Sequence, residues 1–250
     1  MCTITLAWQV FEDAPVVLAA NRDELLDRPS EPPRQRDWGA AVVAPKDAEA
    51  DGTWLGYNEH GLLVTITNRW DDREIEGERS RGLLVREALA RESAESAVRF
   101  VEHELDSRIY EGFHLLAVDS RAALLVEFDG GRRVRTLDPG VHVIVNVGAA
   151  GEYAIPEYRE TVGRQQAENA ETVRETLQPE PGEGADGWLA RAADVLRDHD
   201  HGVCVHGDGF GTRSSSLVRM GEDGVLFEYA DGPPCETDHE RVSASVSPSL

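Results

Sequence analysis

Hydrophobic positions along the chain fall mostly into short β-branched runs bounded by turn residues, and the wider spacing of helices is confined to separate blocks. Ile4–Val10 and Pro15–Ala20 are the first two runs, with Glu12-Asp13 between them, and they predict a hairpin. Cys2 then lies at the outer end of the first strand and Asn21 follows the second. Two segments about 20 residues apart can therefore face one another across the open end of the hairpin.

Arg28 to Arg36 is rich in proline and charge and predicts a loop. Ala40–Ala44, Thr53–Tyr57 and Leu62–Thr67 predict short strands punctuated by glycine. Leu84, Val85, Ala88 and Leu89 share one helical face, as do Ala97, Val98, Val101 and Leu105. Strand character returns at Phe113–Val118, Ala122–Phe128 and Val141–Val147, with Asp129-Gly130-Gly131 and Asp138-Pro139-Gly140 as turns. Tyr158, Val162, Val173 and Leu177 put a thin apolar stripe on a polar surface helix within Pro156–Leu177. Trp188, Leu189, Ala192, Val195 and Leu196 mark a further amphipathic helix. Val203–His206, Thr212–Met220 and Val225–Tyr229 complete the strands, and residues 243–250 predict a loose tail. Helices in blocks between groups of hairpin-linked strands imply an α+β layered sandwich, in one domain over residues 1–250. A doubly wound sheet would alternate strand and helix one by one.

Composition narrows the function classes. The 250 residues contain 40% hydrophobic positions, enough for a sizeable core. Lys+Arg number 25 against 47 Asp+Glu, a net charge of −22, and Lys46 is the only lysine. Nucleic acid is excluded as a partner, because a phosphate backbone calls for a basic stripe. The acid excess is spread from Glu12 to Glu240, and this lysine-poor, carboxylate-rich surface resembles proteins of salt-accumulating (halophilic) organisms. The first ten residues carry no basic stretch, and no apolar run approaches the roughly 20 residues that span a bilayer. These features predict a cytoplasmic protein without integral membrane contact. Neither G-x-G-x-x-G nor a Walker sequence is present. Cys2, Cys204 and Cys235 are an odd set with no framework spacing, so free thiols are expected.

Cys2 is the sharpest chemical feature. Removal of Met1 would leave a residue whose thiol and α-amino group stand together, and an amine of pKa about 7.7–8.0 beside a thiol of about 8.5 is an internal base near neutral pH. Asn21-Arg22-Asp23-Glu24 places an amide, a cation and two carboxylates directly after an apolar strand. An arginine there favours a thiolate, and an aspartate can hold the terminal ammonium. A charged turn with a helix cap is the plainer reading of the same four residues. His199-Asp200-His201, followed by Cys204 and His206, offers donors for a metal or haem iron, but its spacing matches no recognised finger. It is read as a solvated acidic turn, and no metal or cofactor is assigned.

Met1-Cys2, Leu18-Ala19-Ala20-Asn21-Arg22-Asp23-Glu24, Arg28-Pro29-Ser30, Gly52-Thr53-Trp54-Leu55-Gly56, Thr67-Asn68, Tyr110-Glu111-Gly112-Phe113 and Gly209-Phe210-Gly211-Thr212-Arg213 resemble the NRDE family, also called transport and Golgi organisation protein 2-like. That family in turn resembles the N-terminal nucleophile hydrolases, near the penicillin V acylases and bile-salt hydrolases. The resemblance implies a four-layer α-β-β-α sandwich, a nucleophile at Cys2 with Arg22 and Asp23 beside it, an oxyanion donor at Asn146 and a late arginine at Arg213. Asn21, Glu24, Trp54 and Asn68 are candidates for substrate contact. The run Asn21-Arg22-Asp23 is more compact than the spacing found in the acylases. The implied activity is hydrolysis of a linear N-acyl amide, a small-molecule substrate. A competing expectation is a non-catalytic carrier of a hydrophobic ligand such as haem or acyl-CoA, since eukaryotic relatives are associated with Golgi organisation, lipid metabolism and haem mobilisation.

Overall fold

A computed structural model describes residues 2–73, 75–149 and 151–246. The chain divides into two compact units, the first made by residues up to Arg28 together with Pro139–Val242, the second by Pro29–Asp138 and the residues from Ser243 on. The first unit begins with β1 (Thr3–Trp8) and β2 (Val16–Leu25). The second contributes β3 (Ser30–Asp37), β4 (Ala41–Asp47), β5 (Leu55–Asn58), β6 (Leu63–Asn68), α1 (Arg81–Ala88), α2 (Ala94–Ser107), β7 (Phe113–Val118), β8 (Ala123–Phe128) and β9 (Arg132–Thr136). Back in the first unit are β10 (Gly140–Val145), β11 (Gly148–Ala149), β12 (Glu152–Tyr153), α3 (Glu160–Thr176), α4 (Ala185–Arg197), β13 (Phe210–Gly221), β14 (Gly224–Ala230) and β15 (Glu240–Arg241). The predicted α+β class holds: each unit is an antiparallel sheet with two helices against it. No helix among the described residues is long and apolar enough to cross a membrane.

The first unit's strand order is β12-β11-β10-β1-β2-β13-β14-β15. The predicted opening hairpin is present, with Thr3 opposite Asn21 and Trp8 opposite Val16. β2 does not end at Ala20, however. It runs through Asn21-Arg22-Asp23-Glu24 to Leu25, because β13 supplies a ladder partner for each of these residues, from Asn21 opposite Ser215 to Leu25 opposite Phe210. Four polar residues in a row lack the alternation that marks a strand, and pairing overrides that local signal. α4 packs on β2 and β13 with all five predicted apolar residues buried, and the Trp188 indole N–H donates to the Leu177 carbonyl at 2.7 Å. α3 packs on β10, and the predicted stripe holds in its second half, where Val173 and Leu177 are buried; Tyr158 and Val162 are exposed, and Gly163, Gln166 and Ala170 form the buried face before Val173. Val203–His206 is no strand; only His206 bridges to Gly211.

The second unit's order is β3-β4-β5-β6-β7-β8-β9, with α1 on β6 and α2 on β7 and β8. Its core joins Val42, Val64 and Leu115 of the sheet to Leu84, Val85, Ala97 and Val101 of the helices. The predicted loop at Arg28–Arg36 is instead mostly β3. Pro32 and Pro33 fall within the register shift between Glu31 and Arg34, on an edge strand, where a missing N–H leaves no ladder bond unmade. β9 escapes prediction for a related reason, since Arg132–Thr136 is a largely exposed polar edge. Gly52 is required by close approach: a Cβ there would lie 2.2 Å from the Gly82 carbonyl carbon at the start of α1. Of the predicted tail, residues 243–246 carry no regular structure and 247–250 lie outside the described residues.

Candidate functional site around Cys2

Cys2 immediately precedes β1, and the flanking strands decide its neighbours. Thr3 pairs with Asn21 on one side and Val145 on the other, so the positions that follow these partners are Arg22, within β2, and Asn146, in the turn just after β10. The Asp23 backbone holds the sulfur from both ends: its N–H donates to Sγ at 3.4 Å, and its carbonyl accepts from Sγ at 3.6 Å. Burial pushes the Cys2 thiol up from its ordinary value, and the Asp23 carboxylate adds to the rise. The Asp23 N–H and the Arg22 guanidinium act in the opposite direction. The Asp23 carboxyl is also pushed up by burial, opposed by the Thr212 hydroxyl and by Arg22. Thr212 Oγ1 donates to Asp23 Oδ1 at 2.6 Å and accepts the Val205 N–H at 2.9 Å, so one hydroxyl ties Asp23 to the loop before β13.

Asn146 is buried at the end of β10, and its Oδ1 accepts from Gln166 Nε2 of α3 at 3.0 Å. That bond fixes the amide's orientation, with Nδ2 as its donor end. Strand alternation separates the polar run of β2: Asn21 and Asp23 lie on one face, Arg22 and Glu24 on the other. The Asn21 amide donates to Leu196 O and Val203 O, both at 2.9 Å, which closes the end of α4 onto β2 and gives Asn21 a structural task. Glu24 accepts from Arg22 Nη2 at 3.4 Å and lies 3.9 Å from Arg28 Nε. Arg213 is the extra residue where the β2–β13 register shifts between Thr212 and Ser214, and its guanidinium pairs with Asp231 at 2.8 Å. The bulge re-aims its side chain.

Trp54 and Asn68 belong to the second unit. Trp54 is half-buried before β5, its carbonyl accepting from Thr65 Oγ1 and the Ile66 N–H, and Asn68 is exposed at the end of β6 opposite Phe113. The first unit thus gathers Cys2, Arg22, Asp23 and Asn146. Sequence reading missed Gln166 and Thr212. The first is a polar residue on the buried face of α3, legible only once the helix phase is known. The second stands inside Gly211-Thr212-Arg213, where Gly211 is needed because a Cβ there would meet the Val205 carbonyl at 2.6 Å. The histidine-rich segment also assembles differently from its sequence spacing: His199, Cys204 and His206 converge with Cys235, while His201 faces Asp198.

Comparison with known proteins bears on the family and the fold of the chain. The human Transport and Golgi organization protein 2 homolog is 26% identical over 241 residues, covering 84% of this chain and 83% of that one. The Bos taurus homolog is 33% identical over 142 residues, and that match spans 52% of this chain and only half (50%) of the bovine protein's length. Among solved structures, penicillin V acylase from Agrobacterium tumefaciens superposes with a TM-score of 0.60 at 17% identity, covering 92% of this chain and 83% of that one. A Caenorhabditis elegans N-acylethanolamine-hydrolyzing acid amidase ortholog superposes with a TM-score of 0.57 at 13% identity, covering 86% and 92%. Likeness at such low identity shows the fold, which is of the N-terminal nucleophile hydrolase type. The family model described as Transport and Golgi organisation 2 matches residues 1–229, and the chain belongs to that family.

Proposed function

We propose that the chain is a cysteine N-terminal nucleophile amidohydrolase that cleaves a linear N-acyl amide once Met1 has been removed. The observation that carries the reading is the seat of Cys2, whose Sγ is gripped by both backbone groups of Asp23, with Asn146 directly after Val145, the β10 partner of Thr3. The fold shared with two amide-cleaving proteins supports the same chemistry.

In this reaction the new α-amine of Cys2 takes the thiol proton, which the burial-raised thiol does not surrender unaided. The thiolate adds to the amide carbonyl, and Asn146 Nδ2, oriented through Gln166, meets the developing oxyanion. Collapse breaks the C–N bond, and the α-ammonium returns its proton to the leaving amine. Water, deprotonated by the same amine, then hydrolyses the thioester to the carboxylic acid and free thiol. Asp23 keeps the terminal ammonium in place, and Arg22 offsets negative charge beside the sulfur. Arg213 takes no step while paired with Asp231.

The test is intact mass of the native protein before and after brief alkylation near neutral pH, with Cys2→Ala as control, followed by turnover of N-acyl amides. The reading expects loss of Met1, one fast label that vanishes in the variant, and release of amine. Retained Met1 with no preferential label sinks it.

A further inference from the structure

Outside the Cys2 site, the strongest convergence of chemistry in the first unit is His199, Cys204, His206 and Cys235, whose ligand atoms all lie within 4.8 Å of one another. Cys204 Sγ lies 3.5 Å from Cys235 Sγ and 3.7 Å from His206 Nε2, and His206 Nε2 lies 3.0 Å from Cys235 Sγ. The His199 and His206 rings stand edge to face, their centroids 5.1 Å apart. With metal–sulfur bonds of about 2.3 Å and metal–nitrogen bonds of about 2.0–2.1 Å, a tetrahedral ion sets ligand separations of roughly 3.3–3.8 Å. The measured separations bracket that range, so small side-chain movements complete the tetrahedron.

We infer that these four side chains form a structural Cys2His2 zinc site. Two thiolates and two imidazoles are a borderline-soft donor set that fits a tetrahedral divalent ion and not a hard oxygen-seeking one. Four protein donors leave no open position for substrate, which makes the site structural. On binding, both thiols release their protons to solvent, so a doubly positive ion and two thiolates leave the site neutral.

The local fold shows what the ion would fasten. His199, Cys204 and His206 come from the irregular segment between α4 and β13, and Cys235 from the turn in which the Glu236 and Thr237 N–H groups reach the Pro233 carbonyl. Cys204 and His206 flank Val205, whose N–H and carbonyl are both bound by Thr212. Val203, next to Cys204, receives the Asn21 amide. The segment is thus pinned to β2 and β13 on one side, and zinc would pin it to the turn on the other. Exposed histidines on a segment without regular structure have no packing reason to converge on two thiols, one buried and one half-buried, and a shared ligand supplies one.

The experiment uses the untagged full chain, purified under reducing conditions without chelator. Elemental analysis after desalting is expected to give one zinc per chain. Cobalt(II) added to zinc-free protein is expected to give tetrahedral visible bands together with a thiolate-to-metal charge-transfer band. His206→Ala and Cys235→Ser should each weaken cobalt binding by more than about 100-fold, beyond the 10–100-fold that outer-sphere partners carry. His201→Ala should leave it unchanged. His206 is exposed, so its substitution tests the site even where Cys235→Ser fails to fold. No stoichiometric metal and no charge-transfer band, a different metal, binding indifferent to both variants, or a Cys204–Cys235 disulfide in the reduced preparation would each overturn the assignment.

Discussion

The cysteines of this chain occupy two opposite kinds of environment. Cys2 is held by backbone: its sulfur exchanges hydrogen bonds with one residue of a neighbouring strand, and the charges beside it come from that strand. Cys204 and Cys235 are held by side chains on irregular segments, where sulfur meets sulfur and imidazole. Burial, then the hydrogen bond with Cys235, pushes the Cys204 thiol up to about 12. A nucleophile requires a fixed position and a proton acceptor, which a ladder of strands provides. A metal site requires several converging donors, which loops can bring together as long as something anchors them. Thr212 joins the two environments, because the hydroxyl that donates to Asp23 also accepts from Val205 between Cys204 and His206.

The largest expected effect separates them outright. Cys2→Ala should lower kcat for N-acyl amide hydrolysis on the order of 10⁴–10⁶-fold, as loss of a nucleophile does elsewhere. Zinc content measured on the same sample should not change. Loss of both activity and metal would show that the two environments act as one. Asn146→Ala comes next, with a fall in kcat of about 10²–10³-fold at little change in KM. Gln166→Leu, which frees the Asn146 amide to rotate, should cost less, up to about 10². An effect confined to KM in steady-state kinetics would move Asn146 from oxyanion donor to substrate contact.

The same contrast governs what could be read in advance. The first hairpin and β7 are legible from short apolar runs bounded by turn residues, and the buried face of α4 from its helical period. Cys2, Arg22 and Asp23 stood out as residue types that a turn does not need. The continuation of β2 through Asn21–Leu25 was not legible, because the pairing with β13 joins residues nearly 200 positions apart. β3 was hidden by its prolines, which an edge strand tolerates and a central one does not. In the histidine-rich segment three of the four converging donors were visible, but local spacing suggested His201. Cys235, in a turn beyond two intervening strands, supplied the fourth. Strand ladders repeat and leave a pattern, whereas convergence of loops leaves none.

A smaller effect falls on the hinge between the two environments. Thr212→Val removes the donor to Asp23 Oδ1, which is buried, and the acceptor of the Val205 N–H, which is part-buried, and should cost about 1–3 kcal/mol in urea unfolding. A cost near zero would show that the two environments are not coupled through this hydroxyl.

The smallest effect is a pH dependence whose sign distinguishes a charged Asp23 from a neutral one. Burial raises its carboxyl above the ordinary value of 3.8, so the folded chain holds the proton more tightly than the unfolded chain does. The stability this contributes is complete below that value and is lost as pH rises through the folded-state pKa. Wild type should therefore lose stability relative to Asp23→Asn as pH rises from about 4 towards 8, measured by urea unfolding at each pH. Thr212 donates to the ionised form and so limits the rise. Repeating the series in the Thr212→Val background should steepen the difference. Parallel curves for wild type and Asp23→Asn would mean that the carboxylate is ionised at no cost in the folded chain. Asp23 would then carry its charge beside the thiol throughout, and the terminal ammonium would have a full counter-ion from the start of the reaction.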